Sequence, residues 1–217
     1  VTMFDTSNLG EILPLLLVGF FRYTLTATLI GTGIGVVFGL VLAILRRMHT
    51  RWVRVPVRAF VEFVRSTPLM VQLLFATGVG FVARPLGPFL VGSIVLGIHY
   101  ATYMSEVYRA GIDGVPKGQW EAAVALSMSR RRTWQAVVLP QAVRNVLPAL
   151  GNYAISMFKD TPYLSVIAVP EMVRVAEEYG GEHFAYTGTF TLAAILFLLA
   201  SYPTSILVRK LETRLGH

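Results

Sequence analysis

The chain has 217 residues, 54% hydrophobic and only 14% charged, with a net charge of +7 and a pI near 10.0. A soluble domain gives about a quarter of its residues to charge; here apolar residues gather into runs long enough to cross a bilayer, so an integral membrane protein is expected. The basic residues sit in short segments between those runs, which argues against a nucleic-acid-binding face, and the absence of cysteine removes disulfides and thiolate metal sites.

Five spans are expected in an all-α, polytopic single domain covering 1–217, because backbone in lipid must satisfy its own hydrogen bonds. The N-terminal stretch carries Asp5 and Glu11 but no Lys or Arg, so the first span is read as retained. That span covers about 15–45. Gly31, Gly35 and Gly39 form a stripe on it where a second helix would approach closely, or where the helix is merely flexible. The remaining spans cover about 61–82, 89–112, 146–169 and 189–208. Segment 46–58 has five basic residues and no acidic one, and 109–144 has six basic against two acidic. Segments 1–14, 83–88 and 170–186 together hold Arg84 and Arg174 against six acidic residues. Five crossings then place the N-terminus outside and the C-terminus in the cytoplasm.

Polar residues inside spans are costly and face a cavity or a partner. In the third span His99, Thr102, Tyr103 and Glu106 share one helical face. In the fourth, Asn152, Ser156, Lys159, Asp160 and Tyr163 form a second stripe. Pro162 removes a backbone donor and disfavours helical geometry at Thr161, so an interruption beside Asp160 is expected to present polar groups to a solute. Asp160 is the sharpest candidate. A structural Lys159–Asp160 arrangement is the plainer reading, just as Arg109 offers Glu106 an intrahelical ion pair and His99 reads equally as an interior hydrogen-bonded residue. Arg65-Ser66-Thr67-Pro68 suggests a snorkelling arginine and a kink.

No phosphate loop, zinc-peptidase motif, nucleophile elbow or potassium filter occurs in the chain. A catalytic role therefore has no candidate residues. Between the third and fourth spans, 117–128 are good helix formers, with Ala122, Ala123, Leu126 and Val124 offering an apolar surface. Ser129 is placed to cap a second short helix that starts at Arg130–Arg132 and ends before Pro140. Together these predict a rigid loop, 113–145, on the basic side.

Glu121-Ala122-Ala123, Ser127, Val137 and Leu139-Pro140 have the spacing of the EAA loop in membrane subunits of bacterial ABC importers, although Ser127 stands where that family usually has Gly. Glu62 through Gln72, Tyr103 through Ile112 and Leu150 through Thr161 further resemble the polar amino-acid permeases (histidine, glutamine or arginine systems, or an ectoine-type one); Pro162 replaces the subfamily's usual Ser. The resemblance spans most of the chain. It implies a type I importer permease in the bacterial inner membrane, non-catalytic, with no cofactor of its own and with ATP and magnesium held by separate ATPase subunits. It also implies a second permease subunit, identical or related, and an extracytoplasmic binding protein, for which the acidic segment 171–182 is a candidate surface. The coupling residues would be Glu121, Ala122, Ala123, Ser127, Leu139 and Pro140, with a polar amino acid or similar solute between the two polar stripes. An ion-coupled carrier using Asp160 and Glu106 is the competing class.

Overall fold

The computed structural model describes residues 9–78 and 80–215, and among them the chain is helical throughout, without strands. Helix α1 (Leu9–Gly19) passes through a π-turn (Phe20–Leu25) into α2 (Thr26–Arg47). Helices α3 (Arg51–Ser66) and α4 (Leu69–Gly78) follow, then α5 (Gly80–Asp113), interrupted at Gly87, whose φ of 74° an L-residue rarely adopts. The loop helices are α6 (Lys117–Ala125) and α7 (Arg130–Thr133). A π-turn (Trp134–Val138) leads into α8 (Leu139–Asp160), a 3₁₀ segment (Thr161–Ile167), α9 (Met172–His183) and α10 (Tyr186–Arg214).

Among the described residues three stretches are long and apolar enough to cross a membrane: Gly10–Arg47, Pro85–Asp113 and Tyr186–Arg214. A fourth is counted if α3 and α4 form one span, but these meet at 106°. The continuous span expected at 61–82 is therefore a broken one. Its polar half starts at Arg51, inside the segment read from sequence as a basic loop. Helix α8, polar at Arg144, Asn152, Lys159 and Asp160, is not among the three. It ends at Asp160, where Pro162 turns the chain into the 3₁₀ segment.

The break between α3 and α4 has a specific repair. Pro68 has no N–H to give the Val64 carbonyl four residues back. The Gln72 side chain donates there at 2.7 Å and the Thr67 hydroxyl at 3.2 Å; Gln72 Nε2 also lies 2.7 Å from Thr67 Oγ1 and 3.1 Å from the Thr67 carbonyl. Gln72 Oε1 pairs with His99 Nδ1 at 3.1 Å, tying the break to α5.

The glycine stripe is a packing seam. Met157 lies over Gly31, Met104 over Gly35, and a Cβ at Gly39 would stand 2.9 Å from the Ala101 carbonyl. Helices α2 and α5 form the most extensive pair in the molecule, so the close-approach reading holds over simple flexibility. Gly39→Ala is expected to cost roughly 1–3 kcal/mol, since the obstacle is backbone. Gly33→Ala, on the same helix with nothing within 4 Å of its Cβ position, should cost nothing. Thermal midpoints of the two variants separate the outcomes; equal midpoints would remove the seam's role.

The N-terminus of α9 is fixed from inside. Glu171 is fully buried and caps the helix, accepting from Arg174 N at 2.7 Å and Val173 N at 2.9 Å, while Met172 N donates to Thr24 Oγ1 at 3.3 Å. The acidic segment is thus not a uniform solvated loop: Glu177, Glu178 and Glu182 are exposed, and Glu171 is not. Burial pushes the Glu171 carboxyl up to about 7, against the opposing pull of its two N–H partners and of Arg174. The folded state thus holds a proton that the unfolded chain has released above the ordinary value of 4.5. This group's contribution to stability is full below about 4.5 and fades as pH rises through about 7. Thermal melts between pH 5 and pH 8 should show that decline, and Glu171→Gln should flatten it.

Candidate functional site

Asp160, at the last turn of α8, accepts a 2.7 Å hydrogen bond from the Tyr100 hydroxyl on α5. Tyr100 belongs to a ring cluster with Tyr103 at 6.3 Å and Tyr153 at 6.2 Å; Tyr103 and Tyr153 are 5.9 Å apart. His99 joins it, 5.3 Å from Tyr103, and the Arg65 guanidinium lies over the Tyr103 ring at 5.1 Å. A carboxylate beside several electron-rich ring faces suits a cationic ammonium, which is attracted by both.

The sequence candidates separate into groups. Asp160, Tyr103 and His99 come together; Tyr100 and Tyr153, not singled out from sequence, complete the cluster. Their signal was available: Tyr100 follows His99 directly, and Tyr153 lies two turns before Asp160 on the same helix. Thr102 and Thr161 are fully buried, with hydroxyls donating to the His99 and Phe158 carbonyls at 2.6 and 2.7 Å. Asn152, Ser156 and Tyr163 are exposed on their segments.

Lys159 and Asp160, adjacent in sequence, face different neighbours. Lys159 is exposed and borders a separate cavity of about 470 Å³ with Phe190 and Phe197 of α10. Successive helical residues diverge by about 100°, so the two charges of the stripe point to different surroundings in this structure.

Glu106 lies one end of the cluster away and is surrounded by cations: Arg46 at 2.6 Å, Arg109 at 2.8 Å and Arg65 at 3.6 Å. The i,i+3 pair with Arg109 is present, and Arg46 of α2 adds a tertiary partner.

The loop between α5 and α8 forms a compact knob. Val115, Val138 and Ala142 make its core, with Ile112, Trp120 and Trp134 packed around them; the two indoles meet edge to face at 5.4 Å. Ala123 is 2% exposed and turned into the knob, whereas Val124 and Leu126 are 76% and 75% exposed. Glu121 and Ala122 also face outward. The apolar surface read from sequence is therefore divided, with Ala123 on its inner side.

Ser127 has φ 51°, and Met128 N donates to the Ala123 carbonyl at 3.0 Å, a Schellman-type end to α6. The position that the EAA pattern usually fills with Gly is thus the left-handed one. Ser129 caps α7 as expected, its Oγ accepting from Arg132 N at 3.4 Å. The helix does not stop before Pro140, however. It runs through the π-turn Trp134–Val138 into α8, where Pro140 lies in the first turn and its missing N–H does least harm. Leu139 and Pro140 are both exposed there.

Comparison with known proteins agrees with this architecture. Residues 35–217 match the family described as the binding-protein-dependent transport system inner membrane component. The chain is 42% identical to a probable amino-acid ABC transporter permease, y4tG, of Sinorhizobium fredii, over 97% of this chain and 94% of that one. It is 33% identical to the glutamine transport system permease GlnP of Escherichia coli over 98% of each. A solved amino acid ABC transporter with histidines superposes with a TM-score of 0.90 at 31% identity, covering 97% of this chain and 98% of that one. The inward-facing MetNI methionine transporter, at 19% identity, shares the fold with a TM-score of 0.72. The chain belongs to the family of inner-membrane components of binding-protein-dependent transport systems.

Proposed function

We propose that this chain is the permease subunit of an ABC importer for a polar amino acid or an amino-acid-like solute, which it recognises between α5 and α8. The observation that carries the reading is the Asp160 carboxylate, placed where α8 breaks and bonded to a tyrosine cluster on the facing helix. There the solute ammonium would replace or share the Tyr100 hydroxyl as the partner of Asp160, with Tyr103, Tyr153 and His99 around it. The permease and transporter names of its relatives support the solute class.

The orientation follows the basic segments: N-terminus outside, C-terminus and knob in the cytoplasm. The knob docks on a separate ATPase subunit that holds ATP and magnesium, through Glu121 and Ala122 with exposed Val124 and Leu126. Ala123 packs inside the knob, while Ser127 ends α6 and Leu139 and Pro140 open α8 at its surface. A second permease subunit and an extracytoplasmic binding protein complete the assembly.

Reconstitution with the co-purifying ATPase tests the reading. Binding protein loaded with solute should stimulate ATP hydrolysis and uptake together. Gradient-driven uptake by this subunit alone, without ATP, would instead establish an ion-coupled carrier.

A further inference from the structure

A cavity of about 590 Å³ lies where α2 and α5 end, and arginines dominate it: Arg46, Arg54, Arg58, Arg65 and Arg109. Glu62 and Glu106 are its acidic members, leaving a net charge of +3 from five positive and two negative side chains. Glu106 is already committed to Arg46 and Arg109. Arg54 and Arg58, one helical turn apart on α3, have no ion pair among the described residues, and both are exposed. Unpaired guanidinium forks around one cavity match the planar, bidentate demand of a phosphate group.

The helix carrying them is built in three faces. Val57, Val61 and Val64 turn inward, the first two against Leu42 and Ala101. Arg54, Arg58, Glu62 and Arg65 form the next face. The third is apolar and uncovered in this chain: Trp52 is 90%, Phe63 67% and Phe60 38% exposed. The 106° bend sets α3 crosswise to α4, which packs on α5. A crosswise helix with exposed Trp and Phe beside arginines is suited to the headgroup boundary of a bilayer.

We propose that this cavity binds the phosphate of an anionic phospholipid from the surrounding leaflet, with Arg54 and Arg58 as its principal ligands and the Trp52–Phe63 face beside the acyl region. The lipid then acts as a structural ligand of α3, held by residues other than Asp160, with Arg65 bordering both this cavity and the Tyr103 ring. The shared chemistry is the phosphate, and free phosphate is distinguished from lipid in the test.

The full chain, with its co-purifying subunits, is placed in nanodiscs of phosphatidylcholine with a minority of phosphatidylglycerol. Lipid retained after detergent extraction is then counted by native mass spectrometry. Wild type should retain phosphatidylglycerol in preference to phosphatidylcholine. The pair Arg54→Gln/Arg58→Gln should lower that retention by about 10-fold or more, given the attraction of each arginine for anionic lipid. Removing the same charge from the exposed loop, as Arg130→Gln/Arg131→Gln, should leave it unchanged. Equal loss in both pairs, or no headgroup preference in wild type, overturns the proposal.

If the glutamine pair fails to assemble, Arg54→Lys/Arg58→Lys serves in its place. It keeps the charge but not the fork, and retention equal to wild type would overturn the bidentate assignment. Inorganic phosphate added in detergent should neither displace the lipid nor raise the melting temperature of delipidated protein. Either effect would make this a free-phosphate site and overturn the lipid source.

Discussion

Asp160→Ala is expected to abolish solute-dependent activity while the protein still folds and assembles. The carboxylate is half-buried and holds the Tyr100 hydroxyl at 2.7 Å, so it is pre-oriented for a cationic group between α5 and α8. Removing one member of a desolvated charge pair costs about 3–5 kcal/mol, or at least about 100-fold in binding. Tyr100→Phe keeps the carboxylate and loses only its positioning bond, about 1 kcal/mol, so its effect should be several-fold. Labelled amino-acid uptake and solute-stimulated ATP hydrolysis in proteoliposomes provide the readout, with size-exclusion profiles checking assembly. Uptake by Asp160→Ala within twofold of wild type would exclude solute recognition at this carboxylate.

The second large effect is expected at Gln72. Gln72→Leu is close in size but cannot donate to the Val64 carbonyl or pair with His99. The Val64 carbonyl would keep only the 3.2 Å hydrogen bond from the Thr67 hydroxyl, and His99, largely buried on α5, would lose its partner. A buried group left without its partner costs about 1–3 kcal/mol and a further lost hydrogen bond about 1 kcal/mol, so a loss of roughly 2–4 kcal/mol in unfolding free energy is expected. Thermal unfolding of the purified variant measures it. His99→Leu alone should cost less, because the Gln72 amide still bridges the break. A Gln72→Leu protein as stable as wild type would mean that water replaces the side chain.

The all-helical fold, the glycine seam and the rigid loop were legible because each depends on local pattern. Gly31, Gly35 and Gly39 fall on one stripe whatever the neighbours are, and Ser129 caps the helix beside it with its own hydroxyl. Asp160 was legible as an ionisable group beside a proline. Gln72 was not. Its role requires knowing that the Val64 carbonyl is orphaned and that His99 stands opposite, and both facts are tertiary. That Lys159 and Asp160 meet different neighbours follows from the helix itself, because adjacency in sequence means divergence by about 100°. Pro140 misled, because the preceding π-turn shifts the hydrogen-bond register and lets the helix continue.

The Trp120–Trp134 contact joins the knob ends of α5 and α8 through one shared core. Helix α8 has 22 residues, so it is about 33 Å long. Swinging its knob end through about 5° would carry the far end some ~3 Å, longer than the 2.7 Å that separates Asp160 from Tyr100. A tilt of that size, delivered through two indoles that meet edge to face, is thus geometrically sufficient to unclasp a carboxylate from a phenol at the far end of the helix.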